Sequence, residues 1–163
     1  MKKILVVAIL ALTSFAARAQ YQQVNLTVFG MDCAPCAHAI HVSMKGIRGV
    51  NTVDVDLNTG LVSVKLSASN GASVRQFNEA VEKNGFTHKE ANIVARGRLT
   101  GTATAPFFEV TGTQDRFALI PNATGMDIAP LLGKTVTVAG VLPLAPKGKV
   151  PDQLRYTSIT EAR

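Results

Sequence analysis

The sequence predicts an α+β chain in which a βαββαβ module is followed by a small all-β Greek-key barrel. Three observations carry this. Between residues 21 and 96, four stretches alternate apolar and polar residues with the period of a strand. Two others repeat apolar residues at spacings of three and four, the period of a helix. Beyond residue 96 the chain changes character, with Gly97, Gly101, Gly112, Gly125, Gly133 and Gly140 punctuating short β-rich runs.

The first nineteen residues stand apart from the fold. Met1-Lys2-Lys3, the apolar run Ile4 to Leu12 and the small-residue pattern Ala17-Arg18-Ala19 form a cleavable export leader. The run is too short to span a bilayer, which takes roughly 20 apolar residues. The expected product is a soluble protein beginning near Gln20 in a bacterial periplasm. Removing Lys2, Lys3 and Arg18 takes three of the 17 basic residues, leaving 14 against 11 acidic, so the formal charge of +6 falls to +3. That charge is mild and scattered, and the chain has no Trp. Nucleic acid is therefore not the expected partner.

In the first module, residues 20–96, Val24, Leu26 and Val28 alternate with Asn25, Thr27 and Phe29 and read as a strand ended by Gly30. Cys36, Ala37, Ile40, Met44 and Ile47 form one apolar stripe of a helix that stops near Gly46 or Gly49. Val53, Val55 and Leu57, the turn residues Asn58-Thr59-Gly60, and Val62, Val64 and Leu66 make a hairpin. Ser73 offers an N-cap to a second helix through Val74, Phe77, Ala80 and Val81, which Asn84-Gly85 ends. A last strand runs from about Phe86 to Ala95. This order is the ferredoxin-like split βαβ arrangement.

Both cysteines, Cys33 and Cys36, lie in the loop before the first helix. Two thiolates at this spacing can turn toward one soft ion, and the free N–H groups of a helix start favour the thiolate form. Two ligands suit Cu(I) and Hg(II), whereas Zn(II) takes four. The same pair could instead cycle as a disulfide, which makes a periplasmic thiol-disulfide redox protein the rival reading. Against it, Asp32 rather than an aromatic precedes the first Cys, and no Pro lies between Pro35 and Pro106 to supply a cis-Pro loop. His38 and His41 read as helix-surface residues that do not converge on Cys33. Met44 reads as core, and Met126 as core or thioether ligand.

Gly30-Met31-Asp32-Cys33-Ala34-Pro35-Cys36-Ala37, the Ile47-Arg48-Gly49-Val50 turn, the hairpin and Lys83-Asn84-Gly85-Phe86 resemble a heavy-metal-associated domain over about 75 residues. That is the module of copper chaperones, of metal-pumping P-type ATPase N-termini and of the periplasmic mercury carrier. The resemblance implies that Cys33 and Cys36 are the metal ligands, that Met31 packs under the loop, and that Phe86 shields the site. It also implies a carrier rather than an enzyme, handing its ion to a protein partner such as a transporter. Asp32 departs from the Thr or Ser usual in copper members and resembles the Asp-Cys pair of zinc, cadmium and lead pumps. A carboxylate helps a divalent ion more than Cu(I), so Asp32 is a candidate third ligand or a residue that solvates or caps the loop. The expected order of cargo is Cu(I), then Hg(II), then Zn(II) or Cd(II).

In the second module, residues 97–163, five strands are expected: Gly97 to Thr104, Phe107 to Thr111, Arg116 to Ile120, Lys134 to Val141 and Leu154 to Ile159, with a short helix from Asp127 to Leu132 before the fourth. The passage Ala129-Pro130-Leu131-Leu132-Gly133-Lys134-Thr135-Val136 and onward to Gly140 resembles exported bacterial OB-fold domains. Pro143 to Pro151 reads as an exposed loop. Phe108 or Phe107, together with Phe117, is expected in the barrel core. No paired carboxylates, Ser/His/Asp set or phosphate loop marks this half as catalytic, and its expected role is docking or positioning.

Overall fold

The structure, a computed structural model, describes residues 20–122 and 126–162. The expected leader, residues 1–19, lies outside the described residues. Among the described residues, eight strands and two α-helices follow one another as β1 (Tyr21–Phe29), α1 (Ala34–Lys45), β2 (Val50–Asp56), β3 (Leu61–Leu66), α2 (Val74–Glu82), β4 (Thr87–Gly101), β5 (Pro106–Val110), β6 (Arg116–Pro121), β7 (Thr135–Leu142) and β8 (Gln153–Glu161).

In the first half β1 lies between β3 and β4, both antiparallel to it, and β2 pairs with β3 at the outer edge. The alternation read from the sequence is the alternation of burial. Val24, Leu26 and Val28 point inward from β1, and Val62, Val64 and Leu66 from β3. The two helices cover that face with Ile40 and Met44 from α1 and Val74, Phe77, Ala80 and Val81 from α2. Each large side chain so buried contributes about 1.5–3 kcal/mol of transfer free energy. In the β2–β3 turn the Thr59 hydroxyl and the Asn58 N–H bond the Asp56 carboxylate and hold its pKa below the ordinary 3.8. The Ser73 N–H donates to Gln76 Oε1 at 3.0 Å and so fastens the first turn of α2.

A strand ending near Ala95 and another beginning at Gly97 were expected; the structure has one strand of 15 residues, β4. Its first part pairs with β1 through Thr87 to Ala95, and its last part pairs with β5 through Gly97 to Gly101. Along the opposite edge β7 pairs with Ala91 to Arg98. The glycine that read as a strand boundary is a packing site, because a Cβ at Gly97 would overlap the carbonyl of Glu109. Local alternation carries no information about which neighbours a strand takes, and so could not show that one strand serves both halves.

The second half consists of β5, β6, β7 and β8 with the end of β4. Its pairings run from β4 through β5, β6, β8 and β7 and return to β4, with β6 parallel to β8. Phe108 and Phe117 are fully buried there, while Phe107 lies half-buried under the Arg116 guanidinium, 4.0 Å from its ring centre. The helix expected from Asp127 to Leu132 is a single 3-10 turn, Ala129–Leu131. Asp127 Oδ1 accepts the Ala129 N–H at its start, and Pro130 denies it an α-helical donor.

The two halves are clasped at two further points. Asp115 accepts both the buried Tyr21 hydroxyl, at 2.6 Å, and the first N–H of α2, that of Val74, at 2.8 Å. Burial first, then the charge of Asp115 and its hydrogen bond, push the Tyr21 phenol well above its ordinary 10.0. The Pro143 to Pro151 loop, expected to be exposed, lies partly against α2. Glu82 accepts the Gly148 N–H at 3.1 Å, Arg75 donates to the Gly148 carbonyl, and Ala145 is buried. Among the described residues, no helix is long and apolar enough to cross a membrane.

Candidate metal centre

The site is built where β1 gives way to α1. Gly30 turns the chain with φ +88°, a conformation that costs a side-chain-bearing residue roughly 1–2 kcal/mol. Met31 then drops into the core at 4% exposure and anchors the loop from beneath, as the resemblance implied. Cys33 is extended, with φ −135° and ψ 150°, and forms the N-cap of α1. Its Sγ accepts the Cys36 N–H at 3.2 Å, and its carbonyl accepts the Ala37 N–H at 3.0 Å. An N–H aimed at sulfur stabilises negative charge there, as does the positive end of the helix. Pro35 fits in the first turn because that position has no intrahelical acceptor for an N–H.

The three candidate ligands come together. One Asp32 carboxylate oxygen and the sulfurs of Cys33 and Cys36 all lie within 4.8 Å of one another, with Asp32 exposed and Cys36 half-buried. His38 and His41 do not join this group. His38 is exposed on α1 and His41 lies half-buried one turn further on. Met44 is core, fully buried, and Met126 lies 45% exposed in the second half. Phe86 is half-buried across the loop, so placed that a Cβ on Gly30 would lie 3.7 Å from its ring.

Cys33 and Cys36 are joined as a disulfide, their Cα atoms 5.1 Å apart. A disulfide offers no thiolate, so a two-electron reduction must precede thiolate binding of an ion. The sequence left this state open, since spacing is the same in both forms.

Phe29 lies outside this group of three candidate ligands. It stands 64% exposed immediately before the loop, with Lys89 Nζ 4.9 Å from its ring centre. It is an aromatic residue in the polar phase of the β1 alternation. It lines one side of an open groove with Pro143 and Leu144, the latter 61% exposed.

Comparison with known proteins gives matches to the first half of the chain. The model of the family described as "Heavy-metal-associated domain" matches residues 25–87. The copper chaperone CopZ of Staphylococcus aureus (strain JH9) is 39% identical over 61 residues, which are 37% of this chain and 88% of that protein. Among solved structures, a CopZ metallochaperone is 36% identical with a TM-score of 0.38, covering 40% of this chain and 97% of its own. Oxidized MerP from Ralstonia metallidurans CH34 is 28% identical with a TM-score of 0.38, covering 42% and 93%. The matched residues contain the whole of the β1 to α1 loop with its two cysteines, and nearly all of the relative's length is matched. The chain therefore belongs to the heavy-metal-associated domain family.

Proposed function

We propose that the protein is an exported carrier that takes a soft metal ion on Cys33 and Cys36 and passes it to a protein partner. The observation that carries the reading is the convergence of Asp32, Cys33 and Cys36 within 4.8 Å at the N-terminus of α1. A shallow site with two thiolates suits an ion that must leave again by ligand exchange, and Cu(I) is the first candidate, with Hg(II) next. The copper chaperone relative supports that order. Asp32 places a hard carboxylate beside the sulfurs and favours a divalent ion, so Zn(II) and Cd(II) stay in the reading as secondary cargo.

Export rests on the leader pattern of residues 1–19. For residues 97–163 we infer an OB-like barrel that docks a partner or positions the metal module. What supports it is the closed circuit of pairings from β4 back to β4 and the parallel β6–β8 pair. The protein is read as a carrier and not as a catalyst.

The test is a chelator competition on reduced protein. Cys33→Ser with Cys36→Ser should abolish Cu(I) and Hg(II) binding, and undiminished binding in that double variant sinks the proposal. The disulfide favours one second reading, a thiol-disulfide redox role for the same pair. Reduction of insulin by the wild type, lost in Cys33→Ser, would support it.

A further inference from the structure

We propose that Gln20 is a modification site, and that it closes to a pyroglutamyl residue once the leader has been removed. The proposal rests on the export reading, because cleavage after Ala17-Arg18-Ala19 is what gives Gln20 a free α-amine.

Chain ends usually fray at the surface. Gln20, joined to residue 19 in this structure, is held in place on its other side. It is 1% exposed, its carbonyl accepts the Arg96 N–H at 2.6 Å, and the next residue, Tyr21, is fully buried and paired with Ala95. Its carboxamide lies against Gly112, where a Cβ would come within 2.6 Å of Nε2. Neither Oε1 nor Nε2 has a hydrogen-bond partner among the described residues. A first residue held here would bring an ammonium charge and an unpaired carboxamide to a buried place, and both are unfavourable.

Ring closure removes the charge and the amide donors together. The neutral α-nitrogen attacks its own Cδ, so that the N–Cδ bond forms and the Cδ–Nε2 bond breaks. Nε2 departs as ammonia, carrying the proton that the α-nitrogen gives up. No oxidant, reductant or co-reactant is needed. The α-amino group titrates near 8, so a fraction is already neutral and nucleophilic at pH 7. What remains is an uncharged five-membered lactam with one N–H and one carbonyl.

The experiment expresses the full chain with its leader in a bacterium, recovers the exported protein in the cold, and labels free N-termini by reductive dimethylation before digestion. The expected N-terminal peptide begins at residue 20, is unlabelled, and is lighter by one ammonia, about 17 Da. Gln20→Glu lacks the amide leaving group, and its peptide should carry the label at full mass. A labelled, full-mass wild-type peptide beginning at Gln20 would overturn ring closure while leaving the leader reading in place. A peptide beginning at Met1 overturns the leader reading, one beginning at any other residue moves the cleavage point, and this proposal falls with either.

Discussion

Replacing Asp32 by Asn removes one negative charge beside the sulfurs and leaves size and hydrogen-bonding capacity nearly unchanged. The carboxylate oxygen lies within 4.8 Å of both sulfurs, and Asp32 is exposed, so solvent screening applies. At that separation and the dielectric of water, one unit charge acts on another with about 0.9 kcal/mol. Loss of the carboxylate should therefore weaken a monovalent ion about fourfold and a divalent ion by twice the energy, about seventeenfold. The preference for Zn(II) or Cd(II) over Cu(I) should fall about fourfold from charge alone, and further if the carboxylate is a direct ligand. The assay is competition of the reduced, anaerobic protein against chelators of known affinity, with each ion measured on wild type and Asp32→Asn. Equal loss for monovalent and divalent ions would refute the electrostatic reasoning and return Asp32 to a solvating or capping role. Repeating the measurement at high salt gives an internal check, because a screened long-range term shrinks while a ligand bond does not.

Three further outcomes are expected. Tyr21→Phe should cost about 1.5–3 kcal/mol in denaturant unfolding, since it deletes a hydrogen bond to a charged acceptor. Because the folded-state pKa of Tyr21 is raised, its contribution is complete below its ordinary 10.0 and is lost as pH climbs through the folded value. The wild type should thus lose stability above pH 10.0, and Tyr21→Phe should remove that part of the decline. Gly30→Ala should cost about 1–2 kcal/mol from backbone strain alone, because the new Cβ clears Phe86 at 3.7 Å; thermal melts of Gly30→Ala and of Gly71→Ala, where φ is unstrained and nothing lies within 4 Å, separate the two effects. Glu82→Ala should lower the melting temperature, by about 1–3 kcal/mol in stability, because it leaves the buried His88 ring and the Gly148 N–H without their carboxylate; chelator competition should show metal affinity of the reduced protein unchanged.

The structure also explains where reading the chain residue by residue ended. The metal loop was legible because its determinants are local: two cysteines three positions apart, a glycine that turns the chain, and an apolar stripe that starts a helix at once. Helix and strand periods gave both helices and the strands, with β1 and β2 each starting three residues earlier than the alternation showed, except at Gly97, where β4 runs on, and at Pro130, where an expected helix is one 3-10 turn. The Asp115 clasp was not legible. Asp115 looks like any turn residue, and its two donors, Tyr21 and Val74, are 94 and 41 positions away. Glu82 was hidden in the same way, since its partners His88 and Gly148 belong to different halves of the chain.

By itself, then, the sequence determined the βαββαβ order, the inward-facing residues, the position of the thiol pair and the family it resembles. All of these follow from patterns a few residues long. Tertiary structure alone decided that β4 is common to both halves, that the last loop rests on α2, and that Gln20 is enclosed. It alone also brought the Asp32 carboxylate within reach of both sulfurs and joined those sulfurs to each other. The physical reason is that pairing, enclosure and electrostatic reach depend on distances in space, and local spacing in a chain constrains those only across a turn or two.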